Sequence, residues 1–542
     1  MSKDDQTGMA WSLFNIRRVV LLLGAVILGG VAQAHAQSDV LRVVPWSDLQ
    51  VLDPFTASDP PTATHARMVF DTLFAPDANQ KPQPQMVEVH TVSGDRLTHT
   101  FTLRDGLLFH DGTPVTAEDC ILSIRRWGVR DPFGQLLMAS VTTLEPVNHK
   151  TFQIVLKAPF PLVLEALARG GIRPPHIMPK RLAETDPFKA ITDATGSGPF
   201  IFVRNEWVPG SKAVYRRNER YIPRNEAANG LAGAKIAYID RIEFISFRDP
   251  QTAFAALQSG EIDYWPNPPA DLIPVLRQTP GIEAATIPAF TQPLIRFNHL
   301  QPPFDNPKAR EAMLWLIKQD DYLAAIGDAP GLSRTCPSVY GCGTPYETAV
   351  GSEALTGHDP TKALAMLKET GWDVTKPIVI LHVTDRPSFT AITLTLADAM
   401  RRAGIAVQLV SMDAAAMFQR RNNKGPVARG GWNIFPADSS GDILISPVTN
   451  AWLAASCDKA FFGWPCDATI EKLKSDFINA ESDDQRRTIA AQIQARAYAI
   501  ASYAPLGHRS QVRAARSTVT GFIRTGDLSD VFWNVRKTAD VR

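Results

Sequence analysis

Five cysteines, eleven histidines and a few charged residues in turn-rich loops carry most of the chemistry open to this 542-residue chain. Cys336 and Cys342 stand six apart across the Pro/Gly loop CPSVYGC, and Cys457 and Cys466 nine apart in CDKAFFGWPC, spacings that suit two local disulfide staples. A zinc site would need thiolates at shorter spacing, and neither a CxxC pair nor HExxH occurs, so no metal is expected. Cys120 is left over on the apolar face of a helix and reads as an inert buried thiol. GxSxG, GxGxxG and a phosphate-binding GK[ST] are missing too, which leaves a secreted hydrolase only the paired carboxylates that spacing alone does not reveal. No catalytic residue and no cofactor is assigned. Arg386, in TDRPS between a strand and a helix, has the rigid fork that suits a carboxylate, and the helix N-terminus behind it favours negative charge. Asp438 and Asp442 lie in DSSGD, where a solvated turn is an equally good reading.

The elements that must position these residues are readable from periodicity. Phe101 to Trp127, FTLRDGLLFHDGTPVTAEDCILSIRRW, runs from an alternating strand through two Asp-Gly corners into a helix. Thr116 and Asp119 have capping-box spacing, and Cys120, Ile121, Ile124 and Trp127 share one face of the helix that begins at Ala117. Val40 to Val44 reads as a strand, Ala63 to Phe74 as a helix, Thr151 to Leu156 and Tyr238 to Phe247 as strands, and Pro250 to Ser259 as a helix closed by Gly260. Leu294 to Asn298 is a short strand, followed by a helix from Asn306 to Ile326 and another from Asp359 to Thr370. Ile378 to Val383, Thr390 to Ala403 and Ile405 to Val410 form a β-α-β unit, which argues for a partly parallel sheet with helices on its faces. Asp484 to Tyr503 is a long helix.

The totals bound the class. A 45% hydrophobic chain of this length fills more than one core, and a net charge of +1 leaves no basic field for nucleic acid or an anionic membrane. Residues 1–36 have the pattern of a signal peptide: Arg17-Arg18, an apolar run from Val19 to Val31, and Ala34-His35-Ala36 before Gln37. Cleavage is expected after Ala36, and export to the periplasm would let disulfides persist. The apolar run is shorter than the roughly 20 residues a spanning helix needs.

Several ordered segments together resemble extracytoplasmic solute-binding proteins of family 5, the dipeptide, oligopeptide and nickel receptors of ABC importers. The Phe101 to Trp127 run is similar to LRdGvkFhDGtplTAeDV, Gly196 to Phe200 to GtGPf, and Tyr215 to Tyr221 to v-r-N-p-x-Y. Phe254 to Asp263 is similar to A-L-q-s-G-e-i-D, Phe297-Asn298 with Pro302 to Asn306 and Arg310 to Ala312 to fN…kpPFdn…vRqA, and Asp359 to Gly371 to yDpekAkaLLaeaG. The resemblance implies an α/β, two-lobed periplasmic binding protein of type II, in the large cluster with an extra subdomain, having mixed sheets flanked by helices and a hinge between lobes. Lobe 1 would comprise residues 37–288 plus 507–542, with the added subdomain at about 86–194, and lobe 2 residues 289–506. It implies a monomer that captures a small solute, most simply a peptide or amino-acid-like compound, between the lobes and delivers it to ABC permease subunits with their ATPases. Opines, metal chelates and sugars are alternatives in the same fold, with His299, His382 or His508 of interest for a chelate.

In peptide-binding relatives an acid of the second lobe holds the α-ammonium and a basic group the carboxylate. The GWNIFPAD stretch resembles the family's G-W-x-x-D loop with two extra residues before Asp438, so Asp438 or Asp442 is the candidate acid. TDRPS resembles q-R-P-y-n, which makes Arg386 the candidate base. Trp432, Trp46 after the first strand, and Asn298 at the presumed crossover between lobes are candidate wall residues. The aromatic run Phe461-Phe462-Gly463-Trp464 fits either beneath the cleft or over it.

Overall fold

A computed structural model describes residues 39–57, 59–523 and 525–538; the leader and the cleavage position after Ala36 lie outside these residues. No helix among them is long and apolar enough to cross a membrane.

One mixed sheet of twelve strands runs through the described chain, in the main order Phe200–Phe202, Lys212–Arg217, Arg241–Ile245, Val40–Val43, Tyr264–Trp265, His508–Arg516, Ile282–Phe297, Ile434–Ser440, Ile378–Val383 and Val407–Met412. Two hydrophobic cores sit on it. The first gathers Leu41, Phe55, Phe101, Trp127, Phe244 and Trp533, and the second Leu294, Phe304, Ile380, Leu396, Trp432 and Tyr503. The fold is therefore two-lobed α/β, and Val448 packs against both cores.

The strand expected at Leu294 to Asn298 is the end of a much longer one, Ile282–Phe297, of sixteen residues. Its first half pairs with Gln511 to Arg516, its second with Ile434–Ser440, and the register shifts between Ile287 and Phe290, where Pro288 has no N–H to give a ladder. Phe290 beyond the shift lies flat on His508, ring centroids 4.4 Å apart.

A separate antiparallel sheet of Val87–Val92, Thr98–Leu103, Thr151–Leu156 and Val141–Pro146 contributes Phe101, Phe152 and Ile154 to the first core. Phe101 registers with Phe152 and stacks on it at 5.1 Å. The helix beside it, Ala117–Arg130, has the expected capping box: the Thr116 hydroxyl accepts from Asp119 N–H, and Thr116 N–H donates to the Asp119 carboxylate at 2.8 Å. Cys120, Ile121, Ile124 and Trp127 are all buried on that face.

Two helices differ from expectation. Asp59 caps the first at Pro60, which ends at Val69 rather than Phe74, because Asp71–Thr72 and Phe74–Pro76 pair as strands. The stretch from Asn306 to Ile326 is two helices, Pro307–Leu316 and Gln319–Ile326, broken at the extended residues Ile317 and Lys318. The break frees the Gln319 amide to receive Cys336 N–H and to donate to the Cys336 and Pro505 carbonyls.

Cys336–Cys342 and Cys457–Cys466 are both disulfides, and Cys120 is a buried free thiol whose burial pushes its pKa up.

Candidate ligand-binding site

Strands Ile378–Val383 and Ile434–Ser440 run parallel, so their C-terminal ends share one edge of the sheet in the second lobe. At such an edge, loops and helix N-termini converge and leave room for a ligand. Val383 leads through Thr384, Asp385 and Arg386 into helix Pro387–Arg402, and Pro387 presets its first turn. The Asp385 carboxylate is spent on Ala414 N–H at 2.8 Å, at the start of the next helix. Arg386 is exposed, its guanidinium lying over the rings of Phe389 and Phe418 at 5.6 and 5.4 Å.

Asp438 lies next to this loop on the adjacent strand. Its Oδ2 accepts from Ser388 Oγ at 3.2 Å, whereas its Oδ1 is buried without a hydrogen-bond partner among the described residues. Burial raises the carboxyl above its ordinary pKa, with Asp328 adding to the rise; Arg509, Ser388 and Arg386 oppose it. Arg509 is fixed by two hydrogen bonds of 2.7 Å to the Asp328 carboxylate. The structure thus brings the two sequence-predicted charges, Arg386 and Asp438, into one electrostatic neighbourhood and adds Ser388, Arg509 and Asp328. Ser388 lies inside the TDRPS loop itself, whereas nothing local in the sequence marks Arg509 and Asp328 as partners, because they come from a distant strand and helix end.

Asp442 is placed differently. Its carboxylate is buried, receives the Ser440 hydroxyl, and lies against Gly171 of the first lobe. Burial first and then Asp527 raise its pKa. Neighbouring Gly171 has φ +76°, and a Cβ there would stand 2.6 Å from Asp442 Oδ2, so glycine is needed for both the backbone turn and the close approach. A second link between the lobes joins Arg486 to Glu165 at 3.5 Å.

Trp432 and Asn298 are both placed inside the second lobe rather than on an exposed surface. Trp432 is fully buried, donates its indole N–H to Arg421 O, and packs edge-on to Phe435 at 4.9 Å. Asn298, also fully buried, donates to Trp432 O at 2.9 Å and accepts from Leu300 N–H. It sits past the second-lobe end of the long strand, away from the register shift at Ile287 to Phe290. An indole near a family-like motif says nothing about which way it faces, and core packing is where most tryptophans go. Trp46, in contrast, is partly exposed just beyond the C-terminal end of Val40–Val43 in the first lobe.

Phe461 and Phe462 pack on the second core, with the Arg421 guanidinium 4.1 Å from the Phe462 ring. Arg296 is buried beneath them and donates to the carbonyls of Phe462, Trp452 and Ser502; burial lowers its pKa to about 9. Of the three histidines weighed for a chelate, His382 bonds Thr393 Oγ1 at 2.6 Å, His508 stacks on Phe290, and His299 is held neutral by burial. No cluster of three or more His, Cys, Asp or Glu side chains suited to a metal ion occurs among the described residues.

Two lobes sharing a sheet, with a charged edge of the second lobe presented near their junction, define a binding protein of the periplasmic type. The chain belongs to the bacterial extracellular solute-binding proteins, family 5, whose family model matches residues 81–448. It is 36% identical, over 93% of its length and 95% of the relative's, to a probable peptide ABC transporter periplasmic-binding protein of Sinorhizobium fredii. Its fold is similar to the ABC transporter substrate-binding protein CtaP of Listeria monocytogenes, with TM-score 0.75, 21% identity, and coverage of 93% of this chain and 100% of that one. It is also similar to a dipeptide-binding protein of a Pseudoalteromonas species in complex with Met-Leu, with TM-score 0.74, 17% identity, and coverage of 92% and 100%.

Proposed function

We propose that this solute-binding protein is a periplasmic receptor that captures a short peptide or amino-acid-like zwitterion and hands it to an ABC permease. The observation that carries the reading is the buried, unpartnered Oδ1 of Asp438 beside Arg386. A desolvated carboxylate oxygen with no internal donor is costly unless something donates to it, and a ligand ammonium does so with a charge-assisted hydrogen bond. Arg386 answers the ligand carboxylate. The relative from Sinorhizobium supports a peptide as the solute.

In this reading residues 1–36 are a signal peptide removed after Ala36, and the mature chain works as a monomer in the periplasm. The lobes are 37–288 with 507–542, and 289–506, hinged where the long strand shifts register. Closure is favoured because the ligand touches both walls, with Trp46 on the first-lobe side. The test is native mass spectrometry of protein purified from its own periplasm, followed by titration calorimetry with the solute found. Co-purification of a short peptide, bound without turnover, is the expected result; a neutral sugar, or cleavage of an added dipeptide mixture, would overturn the reading.

A further inference from the structure

At the junction of the lobes one guanidinium stands between two acids. Arg486, one turn into helix Asp483–Ala499 of the second lobe, has Nη1 3.5 Å from Glu165 Oε1 of the first lobe and 3.6 Å from Asp483 Oδ1 on its own helix. We propose that this trio is a hand-over latch on lobe closure: Arg486 is shared with Glu165 when the lobes meet and falls back on Asp483 when they part. The proposal rests on the hinge closure argued above and adds a device that sets how far the closed state is populated.

The three charges differ in surroundings. Arg486 is the buried member, its side chain 14% exposed and its Nε without a hydrogen-bond partner among the described residues, whereas Glu165 is 32% and Asp483 63% exposed. Asp483 is a solvated acid at a helix N-terminus, favoured there whatever the lobes do. Glu165 is the more desolvated acid, and burial raises its carboxyl above the ordinary value, so its charge gains most from Arg486. Neither distance is that of a tight ion pair. A cation split in this way passes from one acid to the other without being stranded away from a counter-charge, which is the costly outcome for a buried guanidinium.

The same stretch of the first lobe meets the second lobe again. Glu165 lies in the short helix Val163–Leu167, and a little farther along the chain Gly171 lies against Asp442. On the second-lobe side, Ile478 ends the helix before that of Arg486 and packs against the first core. An ion pair across a junction biases only the state in which it forms, so the two acids act in opposite directions. Glu165 favours the closed state, and Asp483, competing for the same nitrogen, favours the open one.

Single-molecule energy transfer on the mature full chain, with dyes at the exposed Val208 and Leu394, one in each lobe, reads the closed-to-open ratio. At low salt Glu165→Gln should lower that ratio and Asp483→Asn raise it, each by about threefold. Both shifts should vanish in an Arg486→Met background, which keeps the apolar stem. Should that variant fail to fold, salt at about 1 M, which screens the same charges, should remove both shifts. A ratio unchanged in Glu165→Gln, or moved the same way by both acid variants, would overturn the latch and leave hinge closure standing. A single population in the wild type and in every variant would overturn hinge closure and the latch with it.

Discussion

Two carboxylates, the fully buried Asp53 in the first lobe and the half-buried Asp438 in the second, differ in how their lone pairs are used. Asp53 in the first lobe receives four donors: Phe55 N–H at 2.8 Å and Arg126 Nη1 at 3.1 Å on Oδ1, and Arg126 Nη2 at 2.6 Å and Ile191 N–H at 2.9 Å on Oδ2. Among the described residues, Asp438 in the second lobe receives only the Ser388 hydroxyl, and its Oδ1 has no partner. A saturated carboxylate has nothing left to offer a ligand and acts as an internal tie between loops. An under-satisfied one costs stability in the empty protein and regains it on binding. In the proposed binding mode, satisfaction of the lone pairs separates the tie at Asp53 from the ligand-binding carboxylate at Asp438.

The contrast breaks hardest at Asp53. Arg126→Met strands a fully buried carboxylate and should cost about 3–5 kcal/mol, read as a lowered urea midpoint at unchanged slope; a midpoint near wild type would show that Asp53 is not the tie described. Asp438→Asn should do the opposite, weakening an amine-bearing peptide ligand by about 1.5–3 kcal/mol in calorimetry while leaving Tm unchanged or higher.

The pH dependence follows from the same carboxyl. Its pKa in the empty protein is raised by burial, and an ammonium ligand needs it ionised, so affinity should fall as pH drops through that raised value, approaching tenfold per unit, and Asp438→Asn should flatten the profile. The groups facing it, Arg509, Arg386, Ser388 and Asp328, are those that set the midpoint. For stability alone the sign reverses: a raised folded pKa means that protonation stabilises, an advantage lost as pH rises through the folded value. Smaller effects are expected farther out. Arg386→Ala should cost about tenfold in affinity for a carboxylate-bearing ligand and nothing for its amidated form. Gly171→Ala puts a Cβ at positive φ and against Asp442, costing about 1 kcal/mol in stability and more in closure, which small-angle scattering of the liganded protein would register as incomplete compaction.

What was legible in the chain was local. The Thr116–Asp119 box, the helix-ending Gly260 and the β-α-β unit near residues 378–412 depend on neighbours in sequence, so periodicity and capping chemistry revealed them. Arg386 and Asp438 were visible through their loops, yet their shared neighbourhood depends on two strands lying side by side. The long strand was seen only at one end, because Pro288 and Pro293 look like breaks and because its two halves serve different partners. The split of the Asn306 to Ile326 helix had no Pro or Gly to announce it; Gln319 bonding to a distant loop explains it afterwards. Asp442 has the same composition context as Asp438, and only the approach of Gly171 from the other lobe distinguishes them.

The sixteen-residue strand has a consequence for how the molecule comes apart. Each lobe has its own apolar core, which by itself would favour two separate melting events. Ile282–Phe297 belongs to both, and melting either half deprives the other of a continuous hydrogen-bonded edge. The lobes should accordingly unfold as one cooperative unit, with a single calorimetric transition; two resolved transitions would show that the shared strand does not couple them.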